Sequence, residues 1–235
     1  MLPIGDEGEA GAGRPVVAWA LVALNVAVFM LEVARPEAAL QAFVTAWGVV
    51  PKEYSVGRDL APLIPVPFWS TLLTSMFLHG GWMHLGGNML YLWIFGDNLE
   101  HRMGHAKFLV FYLLCGLAAG GAHIAFNSGS SVPTVGASGA ISGILGGYLL
   151  LFPHNKVRVL TRGGVMAVPA IYVLGFWIFI QFINSVGSMA NTSETGSGGG
   201  VAYLAHVGGF VAGLVLVKLF ARRSATSAPA REVRY

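Results

Sequence analysis

The sequence predicts an all-α membrane protein, a bundle of six transmembrane helices. Three observations carry this. The 235 residues are 55% hydrophobic and only 11% charged, against roughly 25% charged in a soluble domain, and mean hydropathy is +0.66. The charges are also confined: from Lys107 to Val217 they are Lys107, Lys156, Arg158, Arg162 and Glu194 alone. Finally, several apolar runs approach the ~20 helical residues that a hydrocarbon core ~30 Å thick requires. A soluble enzyme, a disordered tail protein and a nucleic-acid binder are excluded, although the formal charge is +3. Cys115, the single cysteine, lies inside an apolar run and can form neither an intrachain disulfide nor a multi-cysteine metal site.

The spans follow in order at residues 16–34, 85–99, 108–126, 136–152, 165–186 and 201–219. The first is too long for a cleavable signal peptide and has no small-residue cleavage site before Glu37. The second is short, and the apolar stretch 68–78 is a candidate upstream extension. Residues 1–14, rich in Gly, Ala and acid, and the polar tail 222–235 are expected to be disordered, leaving a membrane domain at 15–221.

Six spans place both termini on one side. Eleven of the fourteen basic residues then share that side, and the other three (Arg35, Lys52 and Arg58) lie in one long loop with Glu37, Glu53 and Asp59. The positive-inside bias puts both termini in the cytoplasm. With the six-span plan and no transit-like N-terminus, it suggests a bacterial plasma membrane.

This topology sorts polar residues by depth. The second, fourth and sixth spans run from outside to inside, so their first residues lie together at the outer end. His84 and Asn88 open the second span, Ser138 opens the fourth and His206 enters the sixth. Polar groups within spans are costly and face a protein interior or a wet cavity. A serine and a histidine at one depth can form a nucleophile and its general base. Gly136-Ala137-Ser138-Gly139 puts the serine at a helix start, where free backbone N–H groups can hold an oxyanion. His84 and Asn88, four apart, share a helix face and can add donors. Gly139, Gly143 and Gly147 form a small-residue stripe, as do Gly209 and Gly213 after His206. Contact between the two stripes brings Ser138 to His206.

The segments carrying these groups are His79-Gly80-Gly81-Trp82-Met83-His84-Leu85-Gly86-Gly87-Asn88, Gly136-Ala137-Ser138-Gly139 and Ala205-His206-Val207-Gly208-Gly209-Phe210-Val211-Ala212-Gly213. With Glu100, Arg102 and Gly104, they resemble the rhomboid intramembrane serine proteases over about residues 67–219. The resemblance implies a six-helix bundle cleaving transmembrane substrates with a Ser-His dyad, without an acidic third member or a cofactor. It implies Ser138 as nucleophile, His206 as base and acid, and His84, Asn88 and the Ser138 N–H as the oxyanion hole. Residues 35–67 look like the family's interface-embedded loop, 188–200 like a mobile cap, and the fifth span like a gate. Oligomeric state is not implied.

The sequence departs from the family pattern twice. Ser70 stands where many relatives have Arg after Trp69, which leaves the anchoring of the long loop open. Ser142 stands where many carry an aromatic packed on the histidine, so another residue must orient His206. Among the remaining histidines, His79 is expected to organise its loop through hydrogen bonds, His123 to pack in the bundle and His154 to lie in an interfacial loop. His101 and His105 have metal-like spacing, but Glu100 precedes them, unlike the His-Glu-x-x-His order; they read as a solvated turn, with no metal site. Other function classes are a catalytically dead relative that binds transmembrane segments, and a small transporter. The first usually lacks the serine or the histidine. The second calls for repeats and midplane charges that are missing here.

Overall fold

The computed structural model describes residues 2–8, 13–191 and 202–221. Long apolar runs without proline form the main helices: α1 (Val16–Val33), α5 (Trp82–Met103), α6 (His105–Phe126), α7 (Ser138–Leu151), α8 (Ala170–Asn191) and α9 (Tyr203–Phe220). Between α1 and α5 lie the short α2 (Glu37–Trp47), α3 (Pro51–Val56) and α4 (Thr71–Thr74). By length and composition, α1, α6 and α9 can cross a membrane, while α7 and the first part of α8 are shorter apolar helices. Trp93, Tyr172, Phe176, Val215 and Leu219 are exposed on the helices' outer faces, a surface suited to lipid and costly in water. This is a membrane protein.

At the centre stands α7, with every residue from Gly139 to Tyr148 buried. Its glycines explain why. A Cβ added at Gly209 would lie 2.0 Å from the Gly139 carbonyl oxygen, and one at Gly213 2.0 Å from that of Gly143. The expected stripes therefore meet, and α7 and α9 touch backbone to backbone. Gly147 faces elsewhere, towards Leu99, Phe111 and Val217; Gly146 instead meets the Phe210 carbonyl. Leu92, Phe95, Leu99, Phe108, Phe111 and Leu145 fill the adjoining core, all fully buried.

Several expectations need correction. The chain is mostly helical but not all-α: β1 (Leu2–Asp6), β2 (Lys156–Thr161) and β3 (Gly164–Pro169) form an antiparallel sheet in the order β1-β2-β3. Alternation in Lys156–Thr161 buries Val157 and Val159, the period-two signature of a strand. Residues 165–169, expected to open the fifth span, belong to β3, and the helix begins at Ala170. Residues 2–6, expected to be disordered, pair with β2, because Asp6 has buried partners. Its carboxylate accepts hydrogen bonds from Tyr148 Oη at 2.6 Å and Asn98 Nδ2 at 2.7 Å. Burial, with nearby Asp97, raises the Asp6 pKa to about 6 against those bonds. Residues 9–12 and the tail 222–235 lie outside the described residues.

The stretch 68–78 does not extend the second span. It folds as short helical turns around α4, and α5 starts at Trp82 and runs four residues beyond Leu99. Of the two histidines read as a solvated turn, His105 is exposed, but Glu100 beside them is not solvated. Glu100 is fully buried and accepts the Val17 and Ala18 backbone N–H groups at 2.9 and 2.7 Å, and His105 Nδ1 lies 2.5 Å from its carboxylate. A carboxylate thus caps α1, whose preceding Pro15 supplies no side-chain cap. Where Ser70 replaces the expected Arg, other contacts tie the long loop down. Tyr54 Oη lies 2.8 Å from Thr71 Oγ1, Thr74 Oγ1 donates to the Trp47 carbonyl at 2.8 Å, and Val49 pairs with Thr134.

Candidate active site

Ser138 is the first residue of α7, and the chain must turn sharply to deliver it. Gly136 makes the turn at φ +129°, a conformation that L side chains rarely adopt. Its N–H donates to the Ser75 carbonyl at 2.8 Å, which pins the loop. Space is equally decisive, since a Cβ there would sit 2.8 Å from the His84 ring. Gly136 thus admits the His84 imidazole alongside the serine.

The backbone contact of α7 with α9 sets the central pair. Ser138 Oγ lies 2.8 Å from His206 Nε2, across 68 residues of sequence. On the other side of the ring, His206 Nδ1 lies 2.7 Å from Gln181 Oε1. An amide oxygen only accepts, so Nδ1 carries the proton and Nε2 is left as the acceptor of the serine proton. The Trp177 ring lies 5.9 Å from the imidazole, tilted by 35°, and Tyr203 presents its edge at 6.5 Å. His206 is 8% exposed. The arrangement matches a nucleophile, a base and an orienter of the base.

Potential oxyanion donors lie around the serine. His84 Nδ1 accepts the Gly80 N–H at 3.3 Å, which leaves the proton on Nε2, the ring edge beside Gly136. Asn88, one turn further along α5, is buried, and its Nδ2 has no hydrogen-bond partner among the described residues. At Ser138 the backbone N–H is among the first four of a helix, which have no partner within it. A cleft beside Ser138, bordered by His123, Thr134, Gly139, Ala140 and Ala205, has about 40 Å³ of water-sized space, enough for at least one water molecule.

Ser138, His206, His84 and Gly136 lie together, and Gly139 and Gly209 make the close packing of α7 on α9. Ser142 does not orient the histidine: its Oγ donates to the Ser138 carbonyl at 2.6 Å. Gln181 and Trp177 instead contact the His206 ring, and neither was singled out from the sequence. The signal was present, because a glutamine four residues after a tryptophan in an apolar run puts a polar group on one helix face. His79 ties the loop before α5 to α1 through its backbone. Its ring packs edge-on to Phe29 and His84 while its backbone N–H donates to Glu32. His123 Nε2 lies 2.7 Å from Thr134 Oγ1 in the loop before the serine. The expected cap begins in the last turn of α8, and its remainder, 192–200, lies outside the described residues.

A helical membrane bundle that joins a serine at a helix start to a histidine on a neighbouring helix defines a class of protein with the groups of a serine hydrolase. Comparison with known proteins makes the class specific. The Rhomboid domain family matches residues 67–223, two thirds of the chain, and the protein belongs to the rhomboid family, whose members are typically intramembrane serine proteases. It is 32% identical to "Rhomboid protease GluP" of Bacillus subtilis over 176 residues, 74% of this chain and 32% of that one. It is 30% identical to "Rhomboid protein 1, mitochondrial" of Saccharomyces cerevisiae over 201 residues, 84% of this chain and 51% of that one. A further relative is "Rhomboid-like protein 11, chloroplastic" of Arabidopsis thaliana, 28% identical over 66% of this chain and 54% of that one. The chain thus spans about a third to a half of the length of these relatives.

Proposed function

We propose that this protein is an intramembrane serine endopeptidase that hydrolyses peptide bonds of transmembrane proteins with a Ser138–His206 dyad. The observation that carries the reading is the 2.8 Å hydrogen bond between Ser138 Oγ and His206 Nε2. In this reading α1, α5, α6, α7, α8 and α9 all cross the bilayer, with both termini cytoplasmic as the basic residues favour. The 14 residues of α7 make a helix about 21 Å long, shorter than a ~30 Å hydrocarbon core. Its serine end is then sunk below the outer surface, and cleavage takes place there. A bacterial plasma membrane fits this orientation, though relatives also carry mitochondrial and chloroplastic names.

The chemistry follows from the donors and acceptors. Ser138 Oγ attacks the substrate carbonyl as its proton passes to His206 Nε2. The developing oxyanion takes hydrogen bonds from the Ser138 N–H, His84 Nε2–H and the Asn88 amide, groups without a better partner in the resting site. His206 then gives its proton to the departing amine, and water from the cleft hydrolyses the acyl-enzyme.

The test is labelling of the detergent-purified protein with a rhodamine fluorophosphonate, alongside cleavage of a reconstituted single-span reporter. Both activities are expected in the wild type and in neither Ser138→Ala nor His206→Ala, with melting temperatures unchanged. Undiminished cleavage by Ser138→Ala would refute the assignment. A folded wild type that binds the reporter yet neither labels nor cleaves would favour a non-catalytic binder of transmembrane segments.

A further inference from the structure

We infer that Gln181 is the positioning residue of the base, fixing the tautomer of His206 that can accept the serine proton. The inference rests on the protease reading and deepens it. A neutral imidazole has two tautomers of similar energy, and only the one protonated at Nδ1 presents a lone pair at Nε2. Left to itself, His206 divides between them. Gln181 Oε1, 2.7 Å from Nδ1, accepts a hydrogen bond from Nδ1–H and gives the other tautomer no donor for that oxygen. The selection is made by a neutral group. No Asp or Glu lies in α7, α8 or α9, so the carboxylate that commonly orients such a histidine has no counterpart here.

Geometry around the ring supports a dedicated holder. Gln181 and Trp177 lie four residues apart on α8 and therefore on one face. The first meets the edge of the imidazole and the second its flank, at 5.9 Å between ring centres. Ser142, one turn after Ser138, is turned back onto the Ser138 carbonyl and takes no part. The three sides of the imidazole are thus assigned: Nε2 to the nucleophile, Nδ1 to Gln181, and the ring plane to Trp177. Among the described residues, the titratable groups around His206 are His84 and His123, which act on it by charge, and Tyr203, whose ring edge faces it; the hydrogen bond at Nδ1 is to Gln181.

A structural filler and a tautomer holder respond differently to substitution. Gln181→Leu keeps the volume and removes the acceptor. The maximal rate of fluorophosphonate labelling, kinact, is expected to fall about tenfold, the value of roughly one neutral hydrogen bond, while the probe's KI changes less than twofold. Gln181→Glu restores an acceptor and adds a negative charge that stabilises the imidazolium. It is expected to retain labelling while moving the acid limb of the pH profile to higher pH. Nitrogen-15 NMR of histidine-labelled wild type is expected to show His206 protonated at Nδ1 and bare at Nε2, and to show both tautomers in Gln181→Leu. Wild-type kinact and an unchanged profile in both variants would overturn the role of Gln181 while leaving the dyad intact. An Nε2–H tautomer in the wild type would overturn it whatever the activity. Loss of labelling in wild type itself would overturn the protease reading, and the NMR experiment still decides the tautomer.

Discussion

At one end of α7 the Tyr148 hydroxyl and the Asn98 amide both donate to Asp6, and nearby Glu100 takes two backbone N–H groups and faces His105. At the other end the Ser138 hydroxyl has His206, while the Asn88 amide nitrogen is buried without a partner among the described residues. The two ends carry comparable polar groups in one apolar bundle, yet their accounting differs. At the Tyr148 end the hydroxyl of Tyr148, the amide of Asn98 and the carboxylate of Glu100 are all paired, as buried polar groups in a stable structure almost always are, although His101 Nδ1 nearby has no partner among the described residues. At the Ser138 end, donors are held in reserve. A donor without a partner costs stability in the resting protein, and that cost is reasonable where a charge develops only during a reaction. In the proposed reaction, the unpaired donors at the Ser138 end are the ones that would meet the developing charge.

The contrast breaks most visibly if the reserved donors are removed. Asn88→Ala and His84→Ala are each expected to lower the fluorophosphonate labelling rate about 10²- to 10³-fold, with melting temperature unchanged or slightly raised. A large fall in melting temperature with normal labelling would show these groups to be structural. The next effect concerns what joins the two ends. Gly213→Ala drives a methyl into the Gly143 backbone and is expected to cost about 2–3 kcal/mol of stability, read by thermal unfolding in detergent. Gly86→Ala is the control, since a Cβ there has open space, and no loss is expected.

Smaller changes sharpen the picture at the sheet end. Tyr148→Phe deletes one donor to Asp6 and is expected to cost about 1–2 kcal/mol while leaving labelling of Ser138 within twofold of wild type. The smallest effect is in pH. The folded-state pKa of Asp6 is raised from 3.8 to about 6, so the protein prefers this carboxyl protonated. Its contribution is fully present below about pH 4 and is lost as pH rises towards 6. Comparing wild type with Asp6→Asn isolates it from other acids. The melting-temperature difference between the two should change across pH 4–6 and be constant above. A difference independent of pH would show that Asp6 titrates normally.

The site and the sheet were not equally legible. Ser138, His84 and His206 could be read because each is a costly polar residue near the start of an apolar run, flanked by glycines. Gly136 and Gly209 could be read because only glycine allows the turn and the contact made there. By contrast, residues 2–6 open a Gly-, Ala- and acid-rich segment, and nothing local predicts a strand. They are ordered by partners at Asn98, Tyr148 and residues 157–160, about 90 to 160 positions away. Likewise nothing near Glu100 in sequence marks it as the cap of α1, whose N-terminus lies 82 positions away. Residues 165–169 are apolar enough to continue a span, and their pairing with β2 decided otherwise.

By itself, then, the sequence determined a membrane environment, the order of the main helices and the polar residues on which the proposed chemistry rests. These depend on composition and on spacing along one helix, which are local properties. Only the tertiary structure decided which polar groups meet across elements: Gln181 with His206, Asp6 with Tyr148, Glu100 with the start of α1. A buried hydrogen bond is set by two partners in three dimensions, and the sequence records each partner without recording the pair.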